Sequence, residues 1–395
     1  MPWKEASAMS LRLEFVRLAM IETSNIRSLC RRYGISPKTA YKWIDRYREG
    51  GIEALKDHSR RPQYSPHRTE SSVEEKILQL RERHPSWGAR KLRARLVAQG
   101  HHDLPAISTI TAILHRHGCI NPHESVQHQP WQRFEAHAPN LLWQMDFKGD
   151  FPLLNGRCYP LTILDDHSRF SLGLVACLNQ RRETVQQHLI TTFRRYGLPQ
   201  RMLTDNGGPW GSCGWNAHTA LGVWLIRLGV SLSHSSVCHP QTLGKDERFH
   251  RTLKAEVIST RTFESSEHCQ RTFDRWRSVY NFERPHEALA MDVPASRYHI
   301  STREYSDTLL PIEYGPDDIV RKVQLNGEIS FRGKEYKISK AFKGYHVAFR
   351  PTITDAVFNI FFCHELIAQI DLNNDIPQPE CVSHVPEHPL PLSPV

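Results

Sequence analysis

The sequence predicts three structural classes in succession along one chain: an all-α part, a mixed α/β part and a small β-barrel. The first prediction rests on apolar residues that recur at helical spacing through residues 10–120. The second rests on strand and helix patterns that alternate through residues 139–300, and the third on short strands with glycine turns in residues 321–371. A chain of 395 residues has room for several domains, because one domain usually takes roughly 100–200 residues.

Residues 10–60 predict a helix-turn-helix domain of three helices. The second helix stops at Gly34, and the third begins at Ser36-Pro37, an N-cap followed by proline at the first helical position. The alternative is a solvated basic helix in an ordinary three-helix bundle. The predicted outward face of the third helix suits the DNA major groove. It consists of Lys38, Thr39, Tyr41, Lys42 and Arg46.

Residues 70–120 predict a second unit of the same kind. Its third helix is expected to begin after a cap at Ser108, and Arg116 near the end of that helix is a further candidate for binding DNA. Between the two units, residues 57–68 form a basic linker with prolines, which suits either the DNA backbone or a plain spacer. Two units in tandem could recognise a longer DNA sequence than one.

The net positive charge of the chain lies in its N-terminal third. Residues 1–130 hold 22 Lys and Arg against 13 Asp and Glu, which accounts for the whole net charge of +9. The remaining residues hold 29 basic and 29 acidic side chains. The N-terminal third is therefore the part expected to lie along a polyanion.

Several classes of protein are disfavoured by what the sequence lacks. No apolar run approaches the roughly 18 residues of a membrane helix, and charges interrupt residues 1–20, so no membrane span and no secretory signal is predicted. The nine cysteines contain no Cys-x-x-Cys pair, and the segment 115–119 (HRHGC) has no matching second ligand pair. No phosphate-binding glycine loop is present, so no use of ATP is predicted. A cytoplasmic protein associated with the bacterial nucleoid is expected.

Two aspartates lie at predicted strands of the central part. Alternation along residues 141–147 places Asp146 on the face opposite Trp143 and Met145, and a carboxylate in an apolar strand is unfavourable unless a cation meets it. Asp205 follows a short apolar strand and precedes the turn 206–209 (NGGP), at the strand end where open α/β sheets keep their ligands. An ordinary turn aspartate is the alternative for Asp205.

A third carboxylate, Glu247, lies on a predicted helix. The buried stripe of that helix passes through Phe249 and Leu253, and Glu247 lies on the opposite side above Arg251 and Lys254. The alternative is a surface ion pair between Glu247 and Arg251. The rival acids are Glu256 and Asp246, of which Asp246 is disfavoured by its different bearing on the helix, whereas Asp165-Asp166 is better explained as a hairpin turn.

Four segments together resemble a known family. They are 143–146 (WQMD), 203–207 (LTDNG), 239–256 (HPQTLGKDERFHRTLKAE) and 280–289 (YNFERPHEAL). The chain resembles the DDE insertion-sequence transposases, which are related to retroviral integrases, over about residues 10–370. Here Asp205 and Glu247 are 42 positions apart, somewhat wider than in retroviral integrases.

The resemblance implies a ribonuclease-H-like core in which Asp146, Asp205 and Glu247 hold two Mg²⁺ or Mn²⁺ ions for phosphodiester exchange. The expected partners are double-stranded DNA, both element ends and target, and further copies of the chain in a dimer or larger assembly. A regulator without activity and a nuclease that cuts without joining are the rivals. The tail, residues 372–395, is expected to be disordered. The residues expected to touch DNA are Lys38, Thr39, Lys42, Arg46, Arg116, Gln241, Arg251 and Lys254.

Overall fold

The computed structural model describes residues 8–57, 69–120, 135–205, 207–211, 218–234 and 244–373. The chain divides into two compact units, Met1–Arg68 and Thr69–Val395. Among the described residues, no helix combines the length and apolarity that crossing a membrane requires. The finer domain boundaries inside the second unit stay predictions.

The first unit is the predicted three-helix domain. Its elements are α1 (Ala8–Ala19), α2 (Ile26–Tyr33), α3 (Pro37–Gly50) and a 3-10 turn (Gly51–Leu55). Gly34 ends α2 with a φ of 64°, and the Ser36 side chain caps α3 by accepting the N–H of Thr39. Phe15 and Trp43 are buried between the helices, and of the predicted outward face of α3, Lys38, Tyr41 and Lys42 are exposed whereas Thr39 and Arg46 are half-buried.

The second unit begins with three more helices. They are α4 (Ser71–Arg83), α5 (Ala89–Ala98) and α6 (Ile107–Arg116). The prediction that Ser108 caps the third helix is wrong, because α6 begins at Ile107 and Ala106 occupies the N-cap without a side-chain bond. Burial of Ile110 and Ile113 fixes the phase of α6. The start of α6 is therefore stabilised by packing of its buried residues and not by a capping side chain.

A mixed sheet follows, as predicted, and it has six strands. The elements are β1 (Leu142–Phe147), β2 (Phe151–Leu153), β3 (Gly156–Asp165), β4 (Ser171–Cys177), α7 (Arg182–Tyr196), β5 (Arg201–Thr204), α8 (Ala220–Arg227), β6 (Ser231–His234), α9 (Gly244–Glu256) and α10 (Ser266–Phe282). Strand β1 lies between β3, its antiparallel neighbour, and β5, its parallel neighbour, while β4 and β2 pair with β3 and β6 pairs with β5. The short strand β2 was not predicted, because three residues carry too little alternation to recognise.

Helices cover both faces of this sheet. Trp143 and Met145 of β1 pack with α7 and α8 on one face, and Phe249 and Leu253 of α9 pack with α10 on the other. The alternation predicted for β1 is therefore confirmed, and it turns Asp146 towards the α9 side. Because that side is also covered, polar groups behind Asp146 are buried as well, among them Gln144 at 1% exposure.

The C-terminal strands do not form the predicted closed barrel. They are β7 (Ile319–Lys322), β8 (Glu328–Phe331), β9 (Lys334–Lys337), β10 (His346–Pro351), β11 (Val357–Phe362) and β12 (Glu365–Asp371). Four of them make an open sheet in the order β12-β11-β10-β7, and β8 and β9 make a separate hairpin. The hairpin packs through side chains, with Phe331 stacked 4.2 Å from Phe349, and does not close the sheet by hydrogen bonds. Leu325 is exposed at the turn before β8. Residues 374–395 of the predicted tail lie outside the described residues.

Candidate active site

Asp146 lies at the centre of a group of acidic side chains. Its carboxylate points to the α9 side of β1 and is one-quarter exposed. Burial raises the pKa of Asp146 to about 7, and the negative charges of Asp205 and Glu247 raise it further, against a lowering effect from Lys148. The three predicted acids are thus near enough to act on one another, and the site favours a cation.

Asp205 reaches this place because β5 runs parallel to β1, with Leu203 opposite Gln144. Its Oδ1 accepts the backbone N–H of Gly207 at 3.0 Å and also the indole N–H of Trp210. An ordinary turn aspartate makes a bond like the one to Gly207, so the alternative given for Asp205 accounts for this contact. The carboxylate nevertheless acts on Asp146, and Trp210 was not foreseen from the sequence.

Asp246 and Glu247 are consecutive residues in the first turn of α9, and they differ in burial. Glu247 is exposed, whereas Asp246 is fully buried, with the Thr162 hydroxyl 3.2 Å from both of its oxygens. Burial raises the pKa of Asp246 well above its ordinary value, and the charge of Asp146 adds to this. Burial disfavours the charged form of Asp246, which a metal ion would need, whereas Glu247 is exposed, so Glu247 is the better candidate.

His250 was missed by the sequence analysis. Ligand atoms of Asp146, Asp246 and His250 lie within 4.8 Å of one another, and His250 Nε2 lies 2.8 Å from the Thr162 hydroxyl. Burial lowers the pKa of His250 to about 3, with Lys148 adding to the effect, so the ring is neutral. The sequence does place Asp246 and His250 four positions apart, and this spacing could have indicated that their side chains lie close together on one helix.

Glu256, the other rival acid, is occupied elsewhere. It lies nine positions along α9 from Glu247, which corresponds to about 13 Å. Its carboxylate accepts Ser86 Oγ–H at 2.7 Å, Trp276 Nε1–H at 2.7 Å and Arg284 Nε–H at 3.2 Å. Glu256 therefore ties the second helical region to α9 and α10 and does not belong to the Asp146 group.

Asp165 and Asp166 form the hairpin turn between β3 and β4, as the sequence indicated. Asp165 accepts the N–H and the hydroxyl of Ser168 at 2.8 and 2.6 Å, which closes the turn. Asp166 accepts the N–H of Ala136 at 2.7 Å and Gln144 Nε2–H at 2.8 Å, and it pairs with Lys245. The turn is thus bonded to the strand that carries Asp146 and to the helix that carries Glu247.

Basic side chains lie on or next to the elements that carry Asp146 and Glu247. Arg251 and Lys254 are exposed on α9, as predicted, while Gln241 lies outside the described residues. Lys148, which the sequence analysis did not single out, lies near both Asp146 and Lys254: burial and the charge of Lys254 lower its pKa, and Asp146 opposes them. The site therefore combines carboxylates with cations that could contact a phosphodiester.

The remaining predicted DNA contacts fall into two groups. Lys38 and Lys42 are exposed on α3, whereas Arg46 is half-buried and stacks over Trp43. The other group, Thr39 and Arg116, already has partners within its own unit: Thr39 contacts Ser36, and Arg116 and His117 both contact Glu74. Among the residues that the structure describes, no group of metal ligands forms around residues 115–119.

Five family models match the chain. A helix-turn-helix domain matches residues 11–63, and a homeodomain-like domain matches residues 39–114. An integrase core domain matches residues 136–240, and a second integrase core domain matches residues 228–294. The C-terminal domain of IS481 family transposases matches residues 318–377. The helix-turn-helix start and the ribonuclease-H-like, integrase-type centre are therefore confirmed.

Known relatives and structures include proteins of mobile elements and retroviruses. The insertion element IS407 uncharacterized 31.7 kDa protein of Burkholderia multivorans is 30% identical over 159 residues, which is 40% of this chain and 55% of that protein. The chain thus spans about half the length of this relative. A simian T-cell lymphotropic virus intasome chain matches at TM-score 0.36 and 16% identity, over 73% of this chain and 96% of that one. The HTLV-2 integrase catalytic core matches at TM-score 0.32 and 12% identity, over 42% and 100%.

Proposed function

We propose that the chain is a DDE insertion-sequence transposase, which cuts DNA at the ends of a mobile element and joins those ends to target DNA. The matches to integrase core domains and to the C-terminal domain of IS481 family transposases support this proposal. The observation that carries this proposal is the electrostatic coupling of three acids from separate elements. Asp146 on β1 has its pKa raised to about 7 by burial and by Asp205 and Glu247. Such a shift marks groups that are arranged for chemistry more often than for stability.

The three acids fit divalent metal ions. Their carboxylates are hard oxygen ligands, which select Mg²⁺ or Mn²⁺, and their mutual repulsion would be relieved by bound cations. Asp146, Asp205 and Glu247 would hold two such ions, which activate an attacking oxygen and stabilise the leaving oxygen of a phosphodiester. The hydrogen bond from Trp210 fixes the orientation of Asp205, and burial on the α9 side limits the motion of Asp146.

The DNA would be held by basic residues on both sides of the acids. Lys148, Arg251 and Lys254 suit the phosphates next to the cut, and Gln241 belongs to the segment just before α9. Element ends would be recognised by the outward face of α3, with a further contact at Arg116. The residues proposed on α3 are Lys38, Thr39, Lys42 and Arg46.

The assembly and the cellular setting follow from the reaction. Joining two element ends requires that two copies of the catalytic core meet, so a homodimer or larger assembly on DNA is proposed. The energy of a broken phosphodiester is kept in the one that is formed, so the reaction needs no ATP. We place the protein on the DNA of a bacterial cytoplasm, since its substrates are the element and the host chromosome.

The test uses the full-length protein, a labelled DNA fragment that carries one element end, and Mg²⁺. The wild type is expected to release a 3′-hydroxyl end and to join it to a second DNA. Asp146→Asn, Asp205→Asn and Glu247→Gln should each abolish both steps while DNA binding persists. Joining by any of these variants would refute the assignment of that acid.

Two controls separate the alternatives. Glu256→Gln removes a carboxylate from the same helix without touching the Asp146 group, so a stable preparation should retain cleavage. If Asp246→Asn abolished cleavage and Glu247→Gln did not, the metal would instead lie at Asp146, Asp246 and His250. Cutting without joining would indicate a nuclease, and binding without cutting a regulator.

A further inference from the structure

The turn between β3 and β4 contacts strand β1, which carries Asp146, and helix α9, which carries Glu247. Asp166 is 3% exposed and uses both carboxylate oxygens: Oδ1 accepts Gln144 Nε2–H at 2.8 Å, and Oδ2 accepts the N–H of Ala136 at 2.7 Å. Oδ2 also pairs with the ammonium group of Lys245. One buried carboxylate thus holds a strand residue, a helix residue and the chain segment that enters the core.

Gln144 completes the connection between the strand and the helix. While its amide N–H donates to Asp166, its Oε1 accepts the backbone N–H of Asp246 at 3.3 Å. Gln144 lies two positions before Asp146 on β1, and Lys245 lies two positions before Glu247 on α9. The contacts therefore link the two segments immediately beside two of the three acids.

This linkage is expected to hold its geometry firmly. Lys245 is largely buried, with 15% of its side chain exposed, and its ammonium group pairs with the almost fully buried carboxylate of Asp166. A buried charge without its partner is strongly unfavourable, so Asp166 and Lys245 remain paired as long as α9 stays in place. The amide of Gln144 has one donor and one acceptor bond here, which fixes its orientation as well.

We propose that Asp166, Gln144 and Lys245 form a positioning clasp that seats the first turn of α9 against β1, so that Glu247 faces Asp146 before any ion binds. The inference rests on the proposed function, because it assumes that these acids hold the metal. None of the three residues touches the ions or the DNA in this scheme. They act through the backbone of the residues next to the ligands, as outer partners of metal ligands commonly do.

The clasp also reaches the chain segment that leads into the core. The N–H of Ala136 bonds to Asp166, its carbonyl lies 2.7 Å from His167 Nδ1, and Glu135 pairs with Arg169 at 3.0 Å. The same turn therefore holds the point at which the polypeptide arrives from the helical region. Loss of Asp166 should loosen this entry point together with α9.

The test measures Mn²⁺ binding to the full-length protein without DNA, by electron paramagnetic resonance of the free ion. Asp166→Asn and Lys245→Met should each weaken Mn²⁺ binding about 10–100-fold, which is the usual effect of losing an outer partner. The double variant should be no weaker than the more affected single variant, because both changes break one contact. Lys245→Arg keeps the charge and should restore much of the affinity.

The control for general loss of stability is Asn281→Ala. Asn281 is buried and bonds to the backbone of Ser171 at 2.8 and 3.0 Å, and neither bond involves Asp166, Gln144 or Lys245. This variant should therefore lower the melting temperature but leave Mn²⁺ binding intact. Wild-type Mn²⁺ affinity in folded Lys245→Met, with affinity lost in Asp146→Asn, would overturn the clasp alone. Wild-type affinity in Asp146→Asn would overturn the metal site and the clasp together.

Discussion

The indole N–H of Trp210 donates to Oδ1 of Asp205, the carboxylate that follows strand β5. Trp210 is almost fully buried, and its ring stacks on Phe147, the last residue of β1, with centroids 5.2 Å apart. One side chain therefore connects the end of β5 to the end of β1. The orientation of Asp205 relative to Asp146 depends on this connection, since Asp205 has no other described side-chain donor.

Replacing Trp210 by phenylalanine should separate this hydrogen bond from packing. Trp210→Phe keeps an aromatic ring against Phe147 but leaves Asp205 with only the bond from the Gly207 N–H, so we expect Mn²⁺ affinity to fall by about 10-fold or more. Titration calorimetry with Mn²⁺ would measure the change. Trp143→Phe is the matched control, because Trp143 is equally buried and its indole N–H donates to the Asn140 side chain at 3.2 Å instead of to a carboxylate. Equal losses in both variants would contradict the role given to Trp210.

The raised pKa of Asp146 predicts how the metal-free protein responds to pH. Its ordinary pKa is 3.8 and its folded value about 7, so the folded state binds a proton more tightly than the unfolded chain does. The stabilising contribution is present below pH 4 and is lost as the pH rises towards 7. Between pH 5 and pH 8 the free energy of unfolding should fall by about 1–3 kcal/mol more in the wild type than in Asp146→Asn.

Urea unfolding in the presence of EDTA at the two pH values would test this expectation. Added Mn²⁺ should reverse the trend, because ion binding competes with the proton on Asp146 and grows stronger as the pH rises. Parallel pH profiles for the wild type and Asp146→Asn would show that Asp146 keeps an ordinary pKa.

The three bonds to Glu256 predict a loss of stability in Glu256→Gln. Arg284 would lose its charged partner in a largely buried place, so unfolding should become easier by about 3 kcal/mol or more. Glu283→Gln serves as control, since the pair of Glu283 with Arg95 is more exposed and should contribute only about 1 kcal/mol or less. Urea unfolding measures both. A larger loss of stability in Glu283→Gln than in Glu256→Gln would contradict the stabilising role given to Glu256.

Much of the site could be predicted because its determinants are local. The alternation of β1 fixed the face of Asp146, the turn residues after β5 located Asp205, and the apolar stripe of α9 fixed the bearing of Glu247. Each of these patterns is formed by residues that are close to the acid in the sequence. The residue types in the motifs added the expectation of a metal.

The partners of the acids could not be predicted because they come from distant segments. The contact of Asp246 with Thr162 spans 84 positions, and that of Lys245 with Asp166 spans 79. Periodicity within a helix says which way a residue points and not which side chain it meets. For the same reason the C-terminal strands were recognised, but their failure to close into a barrel was not, since closure depends on which strands pair.

The exposed face of α3 predicts a specific effect of salt on DNA binding. Lys42 is exposed, lies over Trp43 at 5.2 Å and is free of acidic partners among the described residues, so it suits a phosphate. Lys42→Ala should weaken binding to an element-end fragment and reduce the slope of log affinity against log salt by about 1. Lys56→Ala is the matched control, because Lys56 is similarly exposed but pairs with Glu53. Fluorescence anisotropy at several salt concentrations measures the slope, and an unchanged slope in Lys42→Ala would remove Lys42 from the DNA-binding face.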